Sequence, residues 1–376
     1  MMTQELTHPT NLSTMSHCRS SIVRLESNRA YMTARTQPFR PTMQSTKLRL
    51  VPARRLAPAT HASHRWGVVL AGGDGTRLRE LTQRVWGDRP KQFCPILGDN
   101  TLLEETMHRA ERSIPPEQIL FSLMQAHRRY YLPSLGKGPS LKIVQPFNKG
   151  TAPAILYALM RIAQADADAI VSIFPCDHYY SSESAFTAAL ESAQEIAEQR
   201  TASVVLFGAR PNEAEVEYGW IEIGEAVGGH TGLFRVQGFQ EKPPLALAEA
   251  LFRRGSLWNT FVMVGHVRAF LEMAWETVPR LLQVLASAEV TSHPDAEIRI
   301  PDSIYAQIAP MDFSRHILAL ATNRLLAFRL KNIEWSDLGH PYRLLATLVE
   351  RDGDLPVWAK LWFEPAATGR AAKATA

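Results

Sequence analysis

Cysteine is scarce in this chain: Cys18, Cys94 and Cys176 are the only three among 376 residues. An odd count without metal-ligand spacing argues against a disulfide framework and against a zinc site, and makes a reducing compartment, the cytoplasm, the expectation. No apolar run reaches the ~18–20 residues needed to cross a bilayer, so no membrane partner is expected. The phosphate loop GxxxxGK[ST] is absent. So is the dinucleotide spacing GxGxxG, because Gly73 and Gly75 are followed by Thr76, Arg77 and Leu78, which disfavours a hydride-transferring enzyme. There is no internal repeat, and the final segment lacks the hexapeptide periodicity of a β-helix. The folding part also lacks a basic excess. Residues 1–64 carry nine Lys/Arg against Glu5 and Glu26, a net of +7; with the whole chain at +4, about −3 remains for the rest. The pI of about 9.0 therefore belongs to the tail, and nucleic acid is not an expected partner.

What is present is ordinary globular material, 45% hydrophobic and 21% charged, enough for one large or two ordinary domains. Residues 1–64 are rich in Ser, Thr, Arg, Pro and Met without sustained periodicity and read as a disordered basic tail. An organelle transit peptide, an arm for an anionic surface, or a true start at Met15, Met32 or Met43 are the competing readings. From Trp66 onward, apolar strands alternate with helical patterns, the mark of a layered α/β sheet with parallel strands. Strands are expected at 119–124, 141–144, 169–174, 202–208, 261–264 and 324–330, and a hairpin from 219–223 and 233–239. Helices are expected at 101–113, 151–163, 184–199, 245–254, 267–275, 279–288 and 342–350, with two short ones between 302 and 321 and a short run at 357–363. Trp335-Ser336-Asp337 reads as a turn. The expected organisation is a catalytic domain over 65–363 and a disordered small-residue tail over 364–376.

The chain is arranged around Trp66 to Phe93, WGVVLAGGDGTRLRELTQRVWGDRPKQF. A short apolar run leads into Gly72, Gly73 and Gly75, which can present bare backbone N–H groups to a phosphate. Arg77 and Lys91 put a guanidinium and an ammonium at the rim, a place to hold a nucleoside triphosphate. A tight structural turn is the competing reading of the glycines. Asp177 is the second anchor. It follows an apolar strand that ends in Phe174-Pro175-Cys176, where open α/β sheets place ligands, and one carboxylate there suits Mg²⁺. A helix N-cap or turn role is the alternative for it, and for Asp337 in Trp335-Ser336-Asp337-Leu338-Gly339.

The stretch Gly72-Gly73-Asp74-Gly75-Thr76-Arg77-Leu78 with Pro90-Lys91-Gln92-Phe93 resembles the GGxGxRL…PKQ motif of sugar-1-phosphate nucleotidyltransferases, most closely mannose-1-phosphate guanylyltransferases. Further segments follow in family order to about Leu345. The resemblance implies a Rossmann-like, GT-A-like three-layer α/β fold with a mixed, mostly parallel sheet and a small β-hairpin extension for the sugar. It implies nucleotide binding by Leu70, Ala71, Gly72, Gly73, Gly75, Thr76, Arg77, Lys91, Thr151 and Ala152, with Arg77 and Lys91 catalytic. Phe174-Pro175-Cys176-Asp177-His178 resembles the P-x-D-H segment and Trp335 to Gly339 resembles W-x-D-x-G, which makes Asp177 and Asp337 the implied Mg²⁺ ligands. Phe239-Gln240-Glu241-Lys242-Pro243 resembles F-x-E-K-P, so Glu241 is implied at the sugar hydroxyls and Lys242 at the sugar phosphate. Gly219 and Asn259 are implied sugar contacts.

Four departures accompany the match. Glu217 stands where the family's G-Y-G-Y-I stretch has its first glycine. Thr260-Phe261 replace Ser-Gly after Asn259, and Lys149-Gly150 replace Arg-Asn before Thr151. The acid of S-I-D-Y has no counterpart at Asp302 to Tyr305. The resemblance implies transfer of a nucleotidyl group from an NTP, GTP by the nearest type, to a sugar 1-phosphate, mannose 1-phosphate by the same type, with pyrophosphate released. Self-association into a homo-oligomer is compatible with it. A non-catalytic paralogue that binds a nucleotide sugar and regulates a partner is the alternative. It could lose metal ligands freely, whereas Arg77, Lys91, Asp177, Lys242 and Asp337 are all present.

Overall fold

A computed structural model describes residues 63–363 except 137, 289–290 and 294–296. The expected tails, apart from Ser63 and His64, lie outside the described residues. In chain order the strands are β1 (Arg65–Leu70), β2 (Ile119–Met124), β3 (Leu141–Gln145), β4 (Ile170–Pro175), β5 (Tyr179–Tyr180), β6 (Val204–Ala209) and β7 (Gly219–Ala226). They continue with β8 (Leu233–Glu241), β9 (Leu257–His266), β10 (Thr291–His293), β11 (Glu297–Arg299), β12 (Leu325–Arg329) and β13 (Trp335–Ser336). Eleven of them form one sheet in the order β10-β11-β3-β2-β1-β4-β9-β6-β12-β8-β7, while β13 and β5 pair separately.

The sheet is mixed. The run β11-β3-β2-β1-β4 is parallel, and β9 enters antiparallel between β4 and β6. The β7–β8 hairpin joins the sheet through β12, and β7 also pairs with β9 at Trp220–Trp258 and Ile221–Leu257. The strands β9, β6, β12, β8 and β7 therefore close on themselves, which leaves the base of the hairpin packed beside the parallel half.

Side chains one residue apart on each strand enter opposite layers, as the two-residue period of a strand requires. Val68, Leu120, Val171 and Leu206 pack under the helices Thr151–Ala165, Val267–Thr277 and Pro279–Ala286. Val69, Phe121, Ile170 and Val205 face the helices Leu102–Glu111, Arg128–Leu135 and Glu183–Gln199. Three layers result. Thr101 closes the first turn of the helix Leu102–Glu111 with a capping box to Glu104, which explains why this helix begins where the sequence suggests.

The structure adds the helices Arg79–Trp86 and Arg128–Leu135 and the strands β5, β10 and β11 to the sequence expectation, and it alters or specifies others. The strand expected over 261–264 runs ten residues, Leu257–His266, and is interrupted by a bulge at which Phe261 takes φ +61°. Its first half, Leu-Trp-Asn-Thr, lacks apolar alternation because all four residues are buried, with Trp258 paired on both edges. Trp335–Ser336, expected as a turn, is a two-residue strand held against Tyr179–Tyr180. The run at 357–363 is helical, and its Trp358 ring packs 4.7 Å from that of Trp86.

Gly150 marks a crossing of two backbones. It has φ +87°, and a Cβ there would collide with the Met311 carbonyl; Met311 N bonds Lys149 O and Met311 O accepts from Ala152 N. The substitution Gly150→Ala should therefore cost about 3 kcal/mol or more in chemical denaturation, from backbone strain plus the clash. An unchanged unfolding midpoint would contradict this crossing.

Candidate active site

β1 and β4 end level with one another, Leu70 opposite Pro175, at the point where chain order along the sheet reverses: β2 lies on one side of β1 and β4 on the other. Loops leaving two such strands diverge and open a crevice. The glycine loop and Asp177 are those two loops. Gln92 holds the first in shape, its Nε2 donating to Ala71 O at 3.1 Å and Gly73 O at 2.7 Å. Gly75 is left-handed, φ +59°, with Lys91 backbone 3.1 Å from where a Cβ would stand. A cleft of about 300 Å³ follows, lined by Leu70, Gly72, Gly73, Gly75, Thr151 and Asp177 together with Gln145 and Phe261.

The Thr151 end of the cleft is built by hydrogen bonds. Asn148 donates to Asp74 at 2.9 Å and accepts from Gly150 N at 2.9 Å, and Thr151 Oγ1 accepts from Phe313 N at 2.8 Å. Ala152, also expected beside the nucleotide, is fully buried, and its N–H bonds Met311 O at 3.1 Å; Gly150, Thr151 and Ala154 face the cleft instead. Ala71 is likewise buried and contributes backbone alone, while Thr76 and Arg77 are exposed at the rim. Tyr305 donates to Gln145 Oε1, and Gln145 in turn donates to Ser122 at 3.0 Å. That chain of polar groups ties Tyr305, itself fully buried, to the Gln145 and Ser122 side chains that line the cleft.

Lys91 draws the two expected metal aspartates together. Its ammonium, 5% exposed, donates to Asp337 O at 2.8 Å and Leu338 O at 3.0 Å, and lies 3.0 Å from Asp177 Oδ2. The β13–β5 pairing is what brings the chain after Trp335–Ser336 beside the chain after β4. Neither aspartate caps a helix: Ser182 caps the helix after Asp177, and His340 the helix after Asp337. His178 Nδ1 accepts from Trp335 Nε1 at 3.2 Å, and burial lowers its pKa, so the ring is neutral and its remaining proton sits on Nε2, 3.7 Å from Asp177 Oδ1.

The two carboxylates differ in freedom. Asp177 is about a third exposed to the cleft. Asp337 Oδ1 accepts from Tyr218 OH at 3.0 Å, Gly339 N at 2.8 Å and Arg343 Nε at 3.1 Å. Burial alone would raise its pKa, but the Arg343 and Lys91 charges overcome this and hold it at about 2. Oδ2 is the less occupied oxygen, with Arg343 Nη2 at 3.4 Å and Arg77 Nη2 at 3.6 Å. Among the described residues no three His, Cys, Asp or Glu side chains group to hold a metal by themselves. A hard cation that keeps water and phosphate oxygens needs only one or two carboxylates, so Asp177 and Asp337 Oδ2 fit such an ion.

On the hairpin side, Gly219, Glu241 and Asn259 converge: a Cβ on Gly219 would stand 2.8 Å from Glu241 Oε2 and 3.3 Å from Asn259 Cβ. Asn259 Oδ1 accepts from Phe261 N at 3.2 Å, which connects this cluster to the cleft that Phe261 lines. Lys242, with φ +52°, turns its ammonium back to Glu241 at 2.5 Å and is about half exposed. Tyr218, Trp258 and Trp335 stack between the hairpin base and His178, with Tyr218–Trp335 centroids 4.9 Å apart.

No motif in the sequence singles out Arg343, yet it is the most connected cation here. Its three nitrogens reach Asp337, Glu215 at 2.8 Å and Glu217 at 2.9 Å, and its plane lies 4.9 Å from the Tyr218 ring. The available signal is indirect: an acid at Glu217, beside a close approach of backbone, requires a cation. Arg343→Met should destabilise the fold by about 3 kcal/mol or more, because it leaves three carboxylates without their guanidinium. Arg343→Lys should recover only part of this, since one ammonium cannot serve all three. Urea denaturation of both variants at neutral pH checks it, and equal stability of the Lys variant and the parent would refute the fork geometry.

Comparison with known proteins identifies the family. Residues 66–350 match the family described as Nucleotidyl transferase. The chain is 29% identical over 290 residues to the xanthan biosynthesis protein XanB of Xanthomonas campestris pv. campestris (strain B100), covering 76% of this chain and 60% of that protein. It is 32% identical to mannose-1-phosphate guanylyltransferase 2 of Escherichia coli O157:H7, over 72% of this chain and 57% of that protein. The chain thus spans about three fifths of the length of these curated relatives. Among solved structures, the mannose-1-phosphate geranyltransferase of Thermus thermophilus superposes with a TM-score of 0.63 at 27% identity, over 74% of this chain and 77% of that one. With the family match spanning the glycine loop, both aspartates and the hairpin, the chain belongs to the nucleotidyl transferase family, of the sugar-1-phosphate type.

Proposed function

We propose that the protein transfers the nucleotidyl group of a nucleoside triphosphate to a sugar 1-phosphate, with GTP and mannose 1-phosphate as the substrates. The observation that carries this reading is the meeting of the glycine loop, Asp177 and Asp337 around Lys91, beside the Gly219–Glu241–Asn259 cluster. The Phe261–Asn259 hydrogen bond links the polar cluster to the cleft, so a nucleotide in the glycine cradle and a sugar at the cluster would be neighbours. The names of the relatives support the choice of guanine nucleotide and mannose phosphate; the Lys149-Gly150 departure is accommodated by the Met311 crossing, which needs glycine at 150.

In this reading a phosphate oxygen of the sugar 1-phosphate attacks the α-phosphorus in line. The bond from that phosphorus to the bridging oxygen breaks, and pyrophosphate leaves with the electron pair. The attacking oxygen is already anionic, so no strong base is required, and rate comes from positioning and charge neutralisation. Leu70, Gly72, Gly73 and Gly75 shape the cradle, and Arg77 meets the triphosphate from the rim. Lys91 holds Asp177 and the Asp337 backbone at fixed spacing and adds positive charge beneath the phosphates. Lys242 is the exposed cation nearest the sugar cluster and steers the incoming phosphate, while Glu241 and Asn259 accept and donate to sugar hydroxyls. Asp177 and Asp337 would hold Mg²⁺, which would supply charge stabilisation to the phosphoryl oxygens.

Pyrophosphate release with Mg²⁺ across a panel of nucleoside triphosphates and sugar 1-phosphates tests the assignment; silence across the panel would leave a nucleotide-sugar-binding paralogue. Asp177→Asn should lower kcat by two orders of magnitude or more with the fold intact, and near-parental turnover would remove Asp177 from the reaction. Lys242→Ala should raise KM for the sugar phosphate while leaving KM for the triphosphate unchanged. An unaltered sugar-phosphate KM and kcat would remove Lys242 from that role.

A further inference from the structure

Four charged side chains close a ring at the rim of the cleft. Glu217 Oε2 accepts from Arg77 Nη1 at 2.9 Å and from Arg343 Nη2 at 2.9 Å. Arg343 Nε reaches Asp337 Oδ1 at 3.1 Å, and Arg77 Nη2 lies 3.6 Å from Asp337 Oδ2. Two arginines and two acids alternate, and the ring is neutral. Its members are not equally fixed. Arg343 is 15% exposed and has Glu215 on its remaining nitrogen, whereas Arg77 is 47% exposed and has one close and one loose contact. Arg77 is the member that can leave.

The acid that closes the ring, Glu217, stands where the resembling stretch has glycine. Burial would raise its pKa, but the Arg343 hydrogen bond and the Arg77 charge lower it, so it is an anion in competition with any phosphate for the same guanidinium. A triphosphate offers bidentate acceptors and several negative charges, and should win Arg77 from one half-exposed carboxylate.

We propose that Arg77 has two positions and that Glu217 sets the balance between them. With the cleft empty, Arg77 closes the ring and covers Asp337 Oδ2. With a nucleoside triphosphate in the cradle it turns to the phosphates, Glu217 stays on Arg343, and Asp337 Oδ2 is uncovered toward the cleft. Glu217 is thus a positioning residue that acts through Arg77. The inference rests on the nucleotide reading of the cleft given above.

Removing the competing charge should tighten triphosphate binding, and only while Arg77 is present. The experiment is calorimetric titration of the full chain with Mg²⁺ and nucleoside triphosphate analogues whose α,β bridge is carbon, for each of the four ribonucleosides. The proteins are the parent, Glu217→Gln, Arg77→Gln and the double variant. Glu217→Gln should bind roughly two- to fivefold tighter, the size expected for one exposed ion pair given up, and the same change should do nothing in the Arg77→Gln background. Equal tightening in both backgrounds would mean a through-space charge effect and overturn the two-position account; so would no tightening in either. Arg343 retains Glu215 and Asp337 in Glu217→Gln, so the fold should persist, and Glu217→Gly serves as the second variant if it does not. A parent that binds no analogue and releases no pyrophosphate refutes the nucleotide reading itself. A parent that binds, with the variant pattern wrong, refutes only the role of Glu217.

Discussion

A single ammonium group organises the cleft. Lys91 is almost fully buried, and a buried cation is tolerated only when its protons are matched. Its three acceptors come from two segments far apart in the chain, the Asp177 carboxylate and the Asp337 and Leu338 carbonyls. The lysine itself opens a short 3₁₀ turn whose backbone lies against Gly75. Glycine loop, post-β4 loop and post-β13 loop are therefore spaced by one side chain. Any chemistry that needs phosphate-facing backbone and two acids at fixed separation depends on that spacing.

Around this centre the charges are graded by exposure. Lys91 is buried and Arg343 only 15% exposed, and both have every nitrogen committed, which suits groups that hold the site's shape. Arg77 and Lys242 are about half exposed, each with an acid partner that a phosphate could replace. The low pKa of Asp337 follows from the same grading: it lies among fixed cations and stays ionised although buried. His178, pushed the other way by burial, is a neutral spacer between Asp177 and Trp335.

The closed circuit of β9, β6, β12, β8 and β7 explains how the hairpin can be rigid enough to hold Gly219 and Glu241 against Asn259. An isolated two-stranded hairpin is marginal in water, whereas this one is paired along both edges. Its bulged neighbour β9 turns Asn259 toward Gly219 and Glu241 and sends Phe261 into the cleft beside the glycine loop. One strand thus serves both halves of the cleft, through residues on either side of Thr260.

Period and punctuation are enough to reveal most of the elements. The alternation of apolar strands with helices at 119–124, 151–163, 169–174 and 184–199 appears in the fold within a few residues, because fully buried strands and amphipathic helices are dictated by local spacing. The glycine loop, Arg77, Lys91 and the two aspartates are legible as segments. Pairing is carried by no local pattern. That Trp335–Ser336 lies on Tyr179–Tyr180, that β7 returns to β9, and that Arg343 gathers Glu215 and Glu217 are contacts between segments distant along the chain, and packing alone selects them. Residue types and their local order specify which side chains are able to do chemistry. Which of them meet is settled by the closing of the layers, because long-range hydrogen bonds and ion pairs exist only after that closure.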